Sequence, residues 1–298
     1  VVNDRMETSV PDIYAAGDAV QVKHYVTGDD ALISLAGPAN KQGRIIADNI
    51  CGGDSRYLGS QGSSVIKVFD MTAATTGINE TNAKKSGLEV DTVILSPMSH
   101  AGYYPGGKVM TMKVVFEKET YRLLGAQIIG YEGVDKRIDV LATAIHAGLK
   151  ATQLKDLDLA YAPPYSSAKD PVNMAGFMID NIAKGTLKQW HLEDMDKISK
   201  DKSVVLLDVR TVGEFNRGHM DGFRNIPVDE LRERINEIEK GKPVYLICQS
   251  GLRSYIASRI LEGNGYETYN FSGGFRFYDA VVNDRALIER AYACGMDY

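Results

Sequence analysis

Residues 245–265 read YLICQSGLRSYIASRILEGNG, which predicts an apolar strand ending at Cys248, a short loop, and a helix that begins near Arg253. Such a loop can gather its backbone N–H groups around one point, and the first helical turn adds a positive partial charge there. Both effects favour an anion, so Cys248 is a candidate nucleophile or sulfur carrier. A buried cysteine at the end of a core strand fits the same pattern, and this stretch alone does not decide between the two.

Strands and helices alternate on both sides of this stretch. Predicted strands are SVVLLDVR (203–210), KPVYLIC (242–248) and YETYNF (266–271), and predicted helices are VDELRERINEIEK (228–240), residues 251–265 and DRALIERAYACG (284–295). Alternation at these lengths indicates a small parallel α/β sheet with helices on both faces, in a domain that begins near Lys188.

The middle of the chain has a different pattern. Residues 64–150 combine the strand-like runs SVIKVF, VDTVILS, KVMTMKVVFE and LLGAQIIG with the helical runs NETNAKKSG and DKRIDVLATAIHAG. This predicts an α+β unit with an antiparallel sheet, including a hairpin whose polar turn is Glu117–Tyr121. Prolines at 163, 164 and 171 delay the next helix to Asn173, and it ends at Gly185. Upstream, Ile13–Ala16 reads as a strand, Gly17-Asp18 as a turn, and Gly43–Ile50 as a helix.

Composition limits the function classes. The 298 residues contain 34 Lys+Arg and 39 Asp+Glu, so a basic surface for nucleic acid is not indicated. No run approaches the ~20 apolar residues of a membrane span, and the first ten residues do not resemble a signal peptide. The three cysteines, Cys51, Cys248 and Cys294, form no C-x-x-C, so neither a disulfide framework nor a metal site is suggested, and a reducing, cytoplasmic location is expected. Because the chain begins without Met, in what reads as the end of a strand, we expect a fragment of a longer protein.

The C-terminal motifs, LLDVRTVGEFNRGHMDGFRNIPVDEL (206–231) followed by CQSGLRS, resemble the rhodanese family. The resemblance implies that Cys248 accepts a sulfane sulfur as a persulfide, while Arg253 and the loop hold the anion. The loop residues are Gln249, Ser250, Gly251 and Leu252. The alternative for Arg253 is a pair with an acidic neighbour.

Other positions match the scaffold of that family and are interpreted as structural: Asp208, Arg210, Glu214 and His219. Related domains with a longer loop act on phosphate esters, but four residues separate Cys248 from Arg253, which is the sulfur-handling length.

TSVPDIYAAGDAV (8–20) resembles the second flavin-contacting motif of the pyridine nucleotide-disulfide reductases. The resemblance implies that Asp18 accepts a hydrogen bond from the ribityl chain of FAD, with Gly17 of the same motif near the cofactor. Together with Gly37 and Gly43, Ala39 permits a planar ring to approach, although small residues also serve tight helix packing, and Asp18 also suits a helix cap. No G-x-G-x-x-G follows a strand, so we expect this chain alone to bind FAD poorly and to lack NAD(P)H-dependent reduction.

Residues 60–187 resemble the dimerisation domain of that family, and HAGYYPGG (100–107) and DLAYAPPYSSAKDPVNMAG (158–176) resemble its coenzyme A-disulfide reductase branch. The resemblance implies a homodimer in which Tyr103 and Tyr161 reach the redox cysteine of the partner subunit, with Tyr104 and Tyr165 as alternatives. Phenol hydroxyls donate to thiolates, but tyrosines are also common in interfaces without any chemistry.

The sequence therefore predicts a truncated FAD-binding segment (1–59), a dimerisation domain (60–187) and a rhodanese domain (188–298). The main hypothesis is part of an FAD- and NAD(P)H-dependent reductase of coenzyme A disulfide or persulfide, with Cys248 carrying sulfane sulfur from donors such as thiosulfate or polysulfide. Alternatives are an NADH-dependent persulfide or polysulfide reductase, an NADH oxidase or peroxidase, and a non-catalytic dimerising scaffold.

The remaining histidines, at positions 24, 100, 146 and 191, are not spaced as metal ligands are. Cys51 and Cys294 are interpreted as structural, although Cys294 is also a candidate to resolve a persulfide on Cys248.

Overall fold

The computed structural model describes residues 1–293, with side chains described as far as Asp284. Cys294, the candidate resolving cysteine, lies outside the described residues. The chain forms two compact units: one contains Val1–Thr92 and Lys113–Ala151, and the other contains Val93–Met112 and the chain from Thr152 onward. Among the described helices, none is both long enough and apolar enough to cross a membrane.

Two short strands precede the first helix. Strand β1 (Val22–Lys23) pairs antiparallel with β2 (Asp30–Ala31), and α1 spans Ala36–Ile50. Helix α1 therefore begins well before the predicted start at Gly43. Pro38 is compatible with this earlier start because it lies in the first turn, where the missing N–H costs no intrahelical hydrogen bond.

The middle of the chain carries an antiparallel sheet. Its elements are β3 (Ser64–Val68), β4 (Met71–Gly77), α2 (Glu80–Lys85), β5 (Val90–Leu95), β6 (Met110–Glu117), β7 (Leu123–Gly130) and α3 (Val134–His146). The strand order is β3-β4-β7-β6-β5, and β4 runs antiparallel to both β3 and β7. The predicted α+β class is confirmed.

The predicted hairpin joins β6 to β7. The Tyr121 amide donates to the Glu117 carbonyl (2.9 Å), and the Glu117 amide donates to the Arg122 carbonyl (3.0 Å). Tyr121 takes a left-handed φ of 59°, which closes the turn. The turn therefore lies where the polar run between the two apolar strands predicts it.

One row of side chains across this sheet is apolar and exposed. Ile66, Ala73 and Ile129 are register neighbours on β3, β4 and β7, and Ile66 and Ile129 are 61% and 49% exposed. In the adjacent row, Ala74 and Ile128 are buried, and α3 packs against β4 and β7. The adjacent row is therefore buried on β4 and β7, whereas its member on β3, Val65, is 57% exposed.

Helix α4 (Pro171–Ala183) begins two residues before the predicted start, with Pro171 at its first position. The Asp170 side chain accepts from the Val172 amide (3.0 Å), and the Asn173 side chain accepts from the Asp170 amide (3.2 Å). This reciprocal cap satisfies N–H groups that have no intrahelical partner.

The C-terminal part of the chain is a parallel α/β sheet. Its elements are β8 (Gln189–Trp190), α5 (Met195–Ile198), β9 (Val205–Asp208), α6 (Val212–Arg217), β10 (Arg224–Asn225), β11 (Val244–Ile247), α7 (Leu252–Glu262), β12 (Thr268–Phe271) and α8 (Gly274–Ala293). The order is β10-β9-β11-β12-β8, parallel throughout. The predicted α/β class is confirmed, although β8, β10, α5 and α6 lack a clear sequence pattern.

The predicted helix over residues 228–240 is wrong. The segment forms turns and one short 3₁₀ helix, Ile235–Glu237. Tertiary partners take the carbonyl groups that a helix would use: the Tyr266 hydroxyl lies 3.2 Å from the Ile235 oxygen and 3.1 Å from the Ile238 oxygen, and Arg224 donates to the Glu237 oxygen (2.8 Å). Burial of Ile238 in the core then fixes an irregular path that local helix propensity does not predict.

Candidate functional site

Cys248 follows β11 directly and lies at the base of the loop that leads into α7. Its side chain is 1% exposed, and its Sγ receives two hydrogen bonds, from the Gly251 amide (3.2 Å) and the Ser254 hydroxyl (3.2 Å). The start of α7 at Leu252 directs the positive end of that helix toward the loop. The arrangement favours negative charge on the sulfur, either as a thiolate or as a persulfide.

The backbone of Gly251 makes this geometry possible. Its φ of 98° lies in the left-handed region, which favours glycine over other residues. Its carbonyl accepts from Asn270 Nδ2 (3.1 Å) and lies 3.1 Å from Ser254 Oγ. Because a hydroxyl has one proton, Ser254 donates either to this carbonyl or to Cys248 Sγ at any moment.

A second segment supports the loop from the start of α8. The Phe275 amide donates to the Cys248 carbonyl (2.8 Å), and the Arg276 amide donates to the Gln249 carbonyl (3.2 Å). Gly274 lies so close that a Cβ there would stand 2.7 Å from the Gln249 oxygen and from the Ser250 backbone. The loop that carries Cys248 is thus held on two sides by backbone contacts.

Arg253 forms a two-pronged ion pair with Glu214. Both N–O distances are 2.7 Å, and the side chains are 31% and 21% exposed. The hydrogen bond from Arg253 chiefly, with help from Thr211, lowers the pKa of Glu214 to about 2. The same pair raises the pKa of Arg253. Pairing with an acidic neighbour was the alternative interpretation of Arg253, and its role toward an anion stays a prediction.

The positions interpreted as scaffold lie around this pair. Arg210 is buried and donates from Nη2 to Asp208 Oδ2 (2.6 Å), from Nε to Asp208 Oδ1 (3.1 Å), and from Nη2 to the Gly218 carbonyl (2.7 Å). Its guanidinium lies 3.8 Å from the centre of the Phe275 ring. His219 is exposed and stacks on Phe215 with ring centres 3.9 Å apart. These contacts fit the structural role that the sequence predicts for them.

Tyr103 and Tyr161 form a second candidate site. Their hydroxyls are 2.7 Å apart, although 58 residues separate them in the chain, and their side chains are exposed. The loops that carry them are joined by the Ala101 amide, which donates to the Ser166 carbonyl (3.0 Å). The hydrogen bond with Tyr103 raises the pKa of Tyr161. The alternatives Tyr104 and Tyr165 are exposed as well, and the Tyr104 ring packs edge-on against His100.

Gly17, Asp18 and Ala39 form a third group. Gly17 has a φ of 74°, its amide donates to Gln42 Oε1 (2.7 Å), and a Cβ on it would lie 3.7 Å from the Ala39 Cβ. Asp18 lies exposed in the adjacent 3₁₀ turn, and no side chain caps the start of α1. A Cβ on Gly37 or on Gly43 would meet no atom within 4 Å, so tight packing inside this chain does not require either glycine.

The remaining predicted residues lie apart from these groups or in the loop. Gln249 and Ser250 are half-buried, Leu252 is 66% exposed, and Cys51 is a free, exposed thiol at the end of α1. Within the described side chains, no three His, Cys, Asp or Glu residues are grouped as a metal site would require.

Two residues that hold the Cys248 loop were not predicted: Ser254, which contacts Cys248 Sγ, and Asn270, which contacts the Gly251 carbonyl. Ser254 was visible in the sequence as the residue after Arg253, one helical turn beyond the loop, where its hydroxyl can reach back toward the sulfur. Asn270 gives no such signal, because it lies on β12 and meets Gly251 only when the parallel strands are assembled.

Comparisons with known proteins agree with this fold. Residues 63–171 match the pyridine nucleotide-disulphide oxidoreductase dimerisation domain, and residues 191–280 match the rhodanese-like domain. Both matches lie inside the predicted domains, whose boundaries stay predictions.

Three relatives resemble this chain over most or about half of its length. Coenzyme A disulfide reductase of Staphylococcus aureus is 39% identical over 59% of this chain and 40% of the relative. The crystal structure of reduced Bacillus anthracis CoADR-RHD is 47% identical, with a TM-score of 0.92 over 95% of this chain and 51% of that one. The NAD-dependent persulfide reductase of A. fulgidus is 42% identical, with a TM-score of 0.85 over 93% of this chain and 50% of that one.

The chain spans about two fifths of the length of the curated relatives that it matches and about half of these two solved structures. It carries a dimerisation domain of the pyridine nucleotide-disulphide oxidoreductase family followed by a rhodanese-like domain.

Proposed function

We propose that Cys248 is a sulfane-sulfur carrier that serves a flavin-dependent reductase of coenzyme A disulfide or persulfide. The observation that carries the proposal is the pair of donors on Cys248 Sγ, Gly251 N–H and Ser254 O–H, in a loop between β11 and α7. These donors stabilise a negative sulfur, which is the reactive form in both halves of a sulfur transfer.

The transfer runs in two displacements. In the first, the Cys248 thiolate attacks the outer sulfur of a donor such as thiosulfate, the donor S–S bond breaks, and sulfite leaves with the electron pair. In the second, an acceptor thiolate attacks the outer sulfur of the Cys248 persulfide, the S–S bond at Cys248 breaks, and Cys248 leaves as a thiolate. The sulfur is transferred without net oxidation or reduction, and a reductant is needed only to release it from the acceptor as sulfide.

Intact-protein mass spectrometry after exposure to thiosulfate or polysulfide tests the carrier. We expect the chain to gain the mass of one sulfur, to lose it when thiol is added, and to gain none at this position in Cys248→Ser. Cys51 is an exposed thiol that a sulfur donor could also reach, so Cys51→Ser is the matched control and should keep the gain. A gain that follows Cys51, or no gain with either donor, contradicts the proposal and favours the non-catalytic scaffold.

For the reductase, the proposed cofactors are FAD and NAD(P)H. Gly17, Asp18 and Ala39 would hold the flavin, because the open surface at Gly37 and Gly43 and the uncapped start of α1 leave room for a planar, electron-rich group. Bound FAD would supply two-electron transfer from NAD(P)H to a disulfide or persulfide. Asp18 would accept a hydrogen bond from a hydroxyl of the cofactor chain, which fixes its orientation.

A homodimer is the proposed assembly, in which Tyr103 and Tyr161 donate to a sulfur anion of the partner subunit. The match to a dimerisation domain and the exposed row at Ile66 and Ile129 support self-association. Size-exclusion chromatography with light scattering should give twice the chain mass. A monomer at all concentrations contradicts the placement of the tyrosine pair in a shared site.

An NADH-dependent persulfide or polysulfide reductase is the second candidate, because the relative from A. fulgidus carries that name. The second candidate is favoured if the full-length protein consumes NADH with inorganic polysulfide but not with coenzyme A disulfide or coenzyme A persulfide. An oxidase or peroxidase is disfavoured because the rhodanese-like domain has no part in reducing oxygen or peroxide. The free thiols at Cys51 and Cys248 support a reducing, cytoplasmic location.

A further inference from the structure

A cleft of about 610 Å³ opens beside the loop that carries Cys248. Its walls come from the loop itself, from α6 with the turn that follows it, and from the first turns of α8. The polar and charged side chains of the lining are Arg210, Glu214, Arg217, Gln249, Arg276 and Asp279.

Two of these side chains are arginines whose charge is not paired with a carboxylate among the described residues. Arg217 and Arg276 are both exposed, and within the described residues neither side chain has a carboxylate partner within 4 Å. The other charges are mostly committed, since Arg210 pairs with Asp208 and Glu214 pairs with Arg253. Asp279 is the one acidic side chain of the lining without such a pair among the described residues, so the uncommitted charges sum to a positive value.

The cleft is tied to the sulfur loop through backbone hydrogen bonds. The Arg276 amide donates to the Gln249 carbonyl (3.2 Å), and the Phe275 amide donates to the Cys248 carbonyl (2.8 Å). Gln249 lines the cleft and is the residue after Cys248. A group bound between Arg217 and Arg276 therefore lies beside the loop. Cys248 Sγ is buried and contacts the Gly251 amide and the Ser254 hydroxyl.

The size and chemistry of the cleft select among anions. Arginine guanidinium groups bind phosphate oxygens through paired N–H donors, and they do so at exposed positions where carboxylate partners are absent. A cleft of this volume is typical of sites for ligands much larger than thiosulfate. A phosphate-bearing ligand longer than thiosulfate fits both the charge and the size of the cleft.

We propose that this cleft binds the phosphate-bearing end of the thiol that exchanges sulfur with Cys248, with Arg217 and Arg276 as the phosphate contacts. The exchange of sulfur at Cys248 rests on the proposed function. The new element is a phosphate site that selects which thiol takes part in the exchange. Arg217 and Arg276 are recognition residues, and the chemistry stays with Cys248.

The test compares two acceptor thiols on the whole chain charged with sulfur at Cys248. Coenzyme A carries phosphates and pantetheine carries none. The quantity measured is the ratio of kcat/KM with coenzyme A to kcat/KM with pantetheine. This ratio should exceed one for the unmodified chain, and Arg217→Ala/Arg276→Ala should lower it by about tenfold or more. Added salt should lower the ratio in the unmodified chain and have little effect in the variant.

The matched control is Arg232→Ala/Lys240→Ala, which removes the same charge from exposed positions elsewhere in the domain. This control should leave the ratio unchanged. A ratio near one in the unmodified chain, or an equal loss in both double variants, overturns the proposal. A variant that loses thiosulfate turnover but keeps the ratio also overturns it, because the arginines would then serve the small donor.

Calorimetry separates this proposal from the proposed function. Coenzyme A binding should weaken by about tenfold in Arg217→Ala/Arg276→Ala and persist in Cys248→Ser, since the binding does not need the sulfur. If Cys248 never takes up sulfur but the arginine-dependent binding is found, the sulfur-carrier function fails and the phosphate site stands. If sulfur is carried but the arginines have no effect on binding, the phosphate site fails alone.

Discussion

Arg253 and Glu214 join the first turn of α7 to the first turn of α6 through two N–O contacts of 2.7 Å. Glu214 also accepts from the Thr211 amide and lies within hydrogen-bond distance of the Thr211 hydroxyl. The guanidinium that follows the sulfur loop is thus already engaged when no substrate is bound. The positive charge of Arg253 therefore acts on the loop together with the negative charge of Glu214. The two hydrogen bonds to Glu214 on α6 fix the orientation of the guanidinium.

Glu214→Gln should destabilise the protein by about 1–2 kcal/mol, because an amide keeps the shape but loses the charge-assisted contacts of a partly exposed pair. Urea unfolding of the chain at neutral pH measures the change. Glu233→Gln is the control, since Glu233 is exposed and makes no ion pair among the described residues. Equal free energies of unfolding for Glu214→Gln and Glu233→Gln would show that the ion pair between Arg253 and Glu214 does not stabilise the fold.

The same pair gives a pH dependence whose sign is fixed. The pKa of Glu214 is lowered from 4.5 to about 2 in the folded chain, so the stabilisation is complete above 4.5 and is lost as the pH falls toward 2. The difference in unfolding free energy between the unmodified chain and Glu214→Gln should therefore shrink over that interval. A difference that stays constant through this range contradicts the assigned pKa shift.

The strands and the sulfur loop follow from the sequence because local signals agree there. Apolar runs of strand length end at Cys248, and the glycine at 251 supplies a conformation that the loop needs. Residues 228–240 show the opposite case: their helical periodicity is overridden by Tyr266 and Arg224, which come from other elements. Asn270 is likewise invisible to sequence reasoning, because its contact with Gly251 exists only after β12 joins the sheet.

The tyrosine pair shows what resemblance adds to local patterns. No periodicity relates Tyr103 to Tyr161, which lie in separate loops, and only the likeness of two motifs to one family suggested that they act together. The hydroxyl contact of 2.7 Å brings the two into one place. Their action across a dimer is a further step that stays a proposal.

Ser254→Ala should slow sulfur uptake at Cys248 by about tenfold at neutral pH, because the sulfur anion loses one of its two donors. Ser258→Ala is the matched control: Ser258 is buried on the same helix, but its hydroxyl donates to the Tyr255 carbonyl (2.7 Å). If both variants slow uptake alike, the effect comes from the packing of α7 and not from the contact with sulfur.

Tyr103→Phe should lower the pKa of Tyr161 toward its usual value near 10.0, because the hydrogen bond between the hydroxyls is the main cause of the raised value. Titration of tyrosine-labelled chain by nuclear magnetic resonance measures this pKa, once the Tyr161 signal is identified among the 16 tyrosines by its loss in Tyr161→Phe. Tyr104→Phe removes the hydroxyl of the residue next to Tyr103 and should leave the titration unchanged, because the hydroxyl that Tyr161 bonds belongs to Tyr103. An unchanged titration in Tyr103→Phe would mean that the two phenols do not bond in solution.

Gly274→Ala tests whether the close approach behind the loop positions Cys248. Gly274 has a φ of 68°, and a Cβ there would stand 2.7 Å from the Gln249 oxygen. The matched control is Gly265→Ala, where φ is 83° but no atom lies within 4 Å of the added Cβ. Both substitutions carry the cost of a left-handed conformation, about 1 kcal/mol, and Gly274→Ala adds the clash.

We therefore expect Gly274→Ala to destabilise the chain by about 2–4 kcal/mol in total and Gly265→Ala by about 1 kcal/mol, measured by urea unfolding. Sulfur uptake at Cys248 should fall in the folded fraction of Gly274→Ala, because the loop must move away from the start of α8 to relieve the clash. Gly265→Ala should keep full uptake. Equal stability and equal uptake in the two variants would show that the Cys248 loop tolerates displacement, so that its contacts with α8 do not position the sulfur.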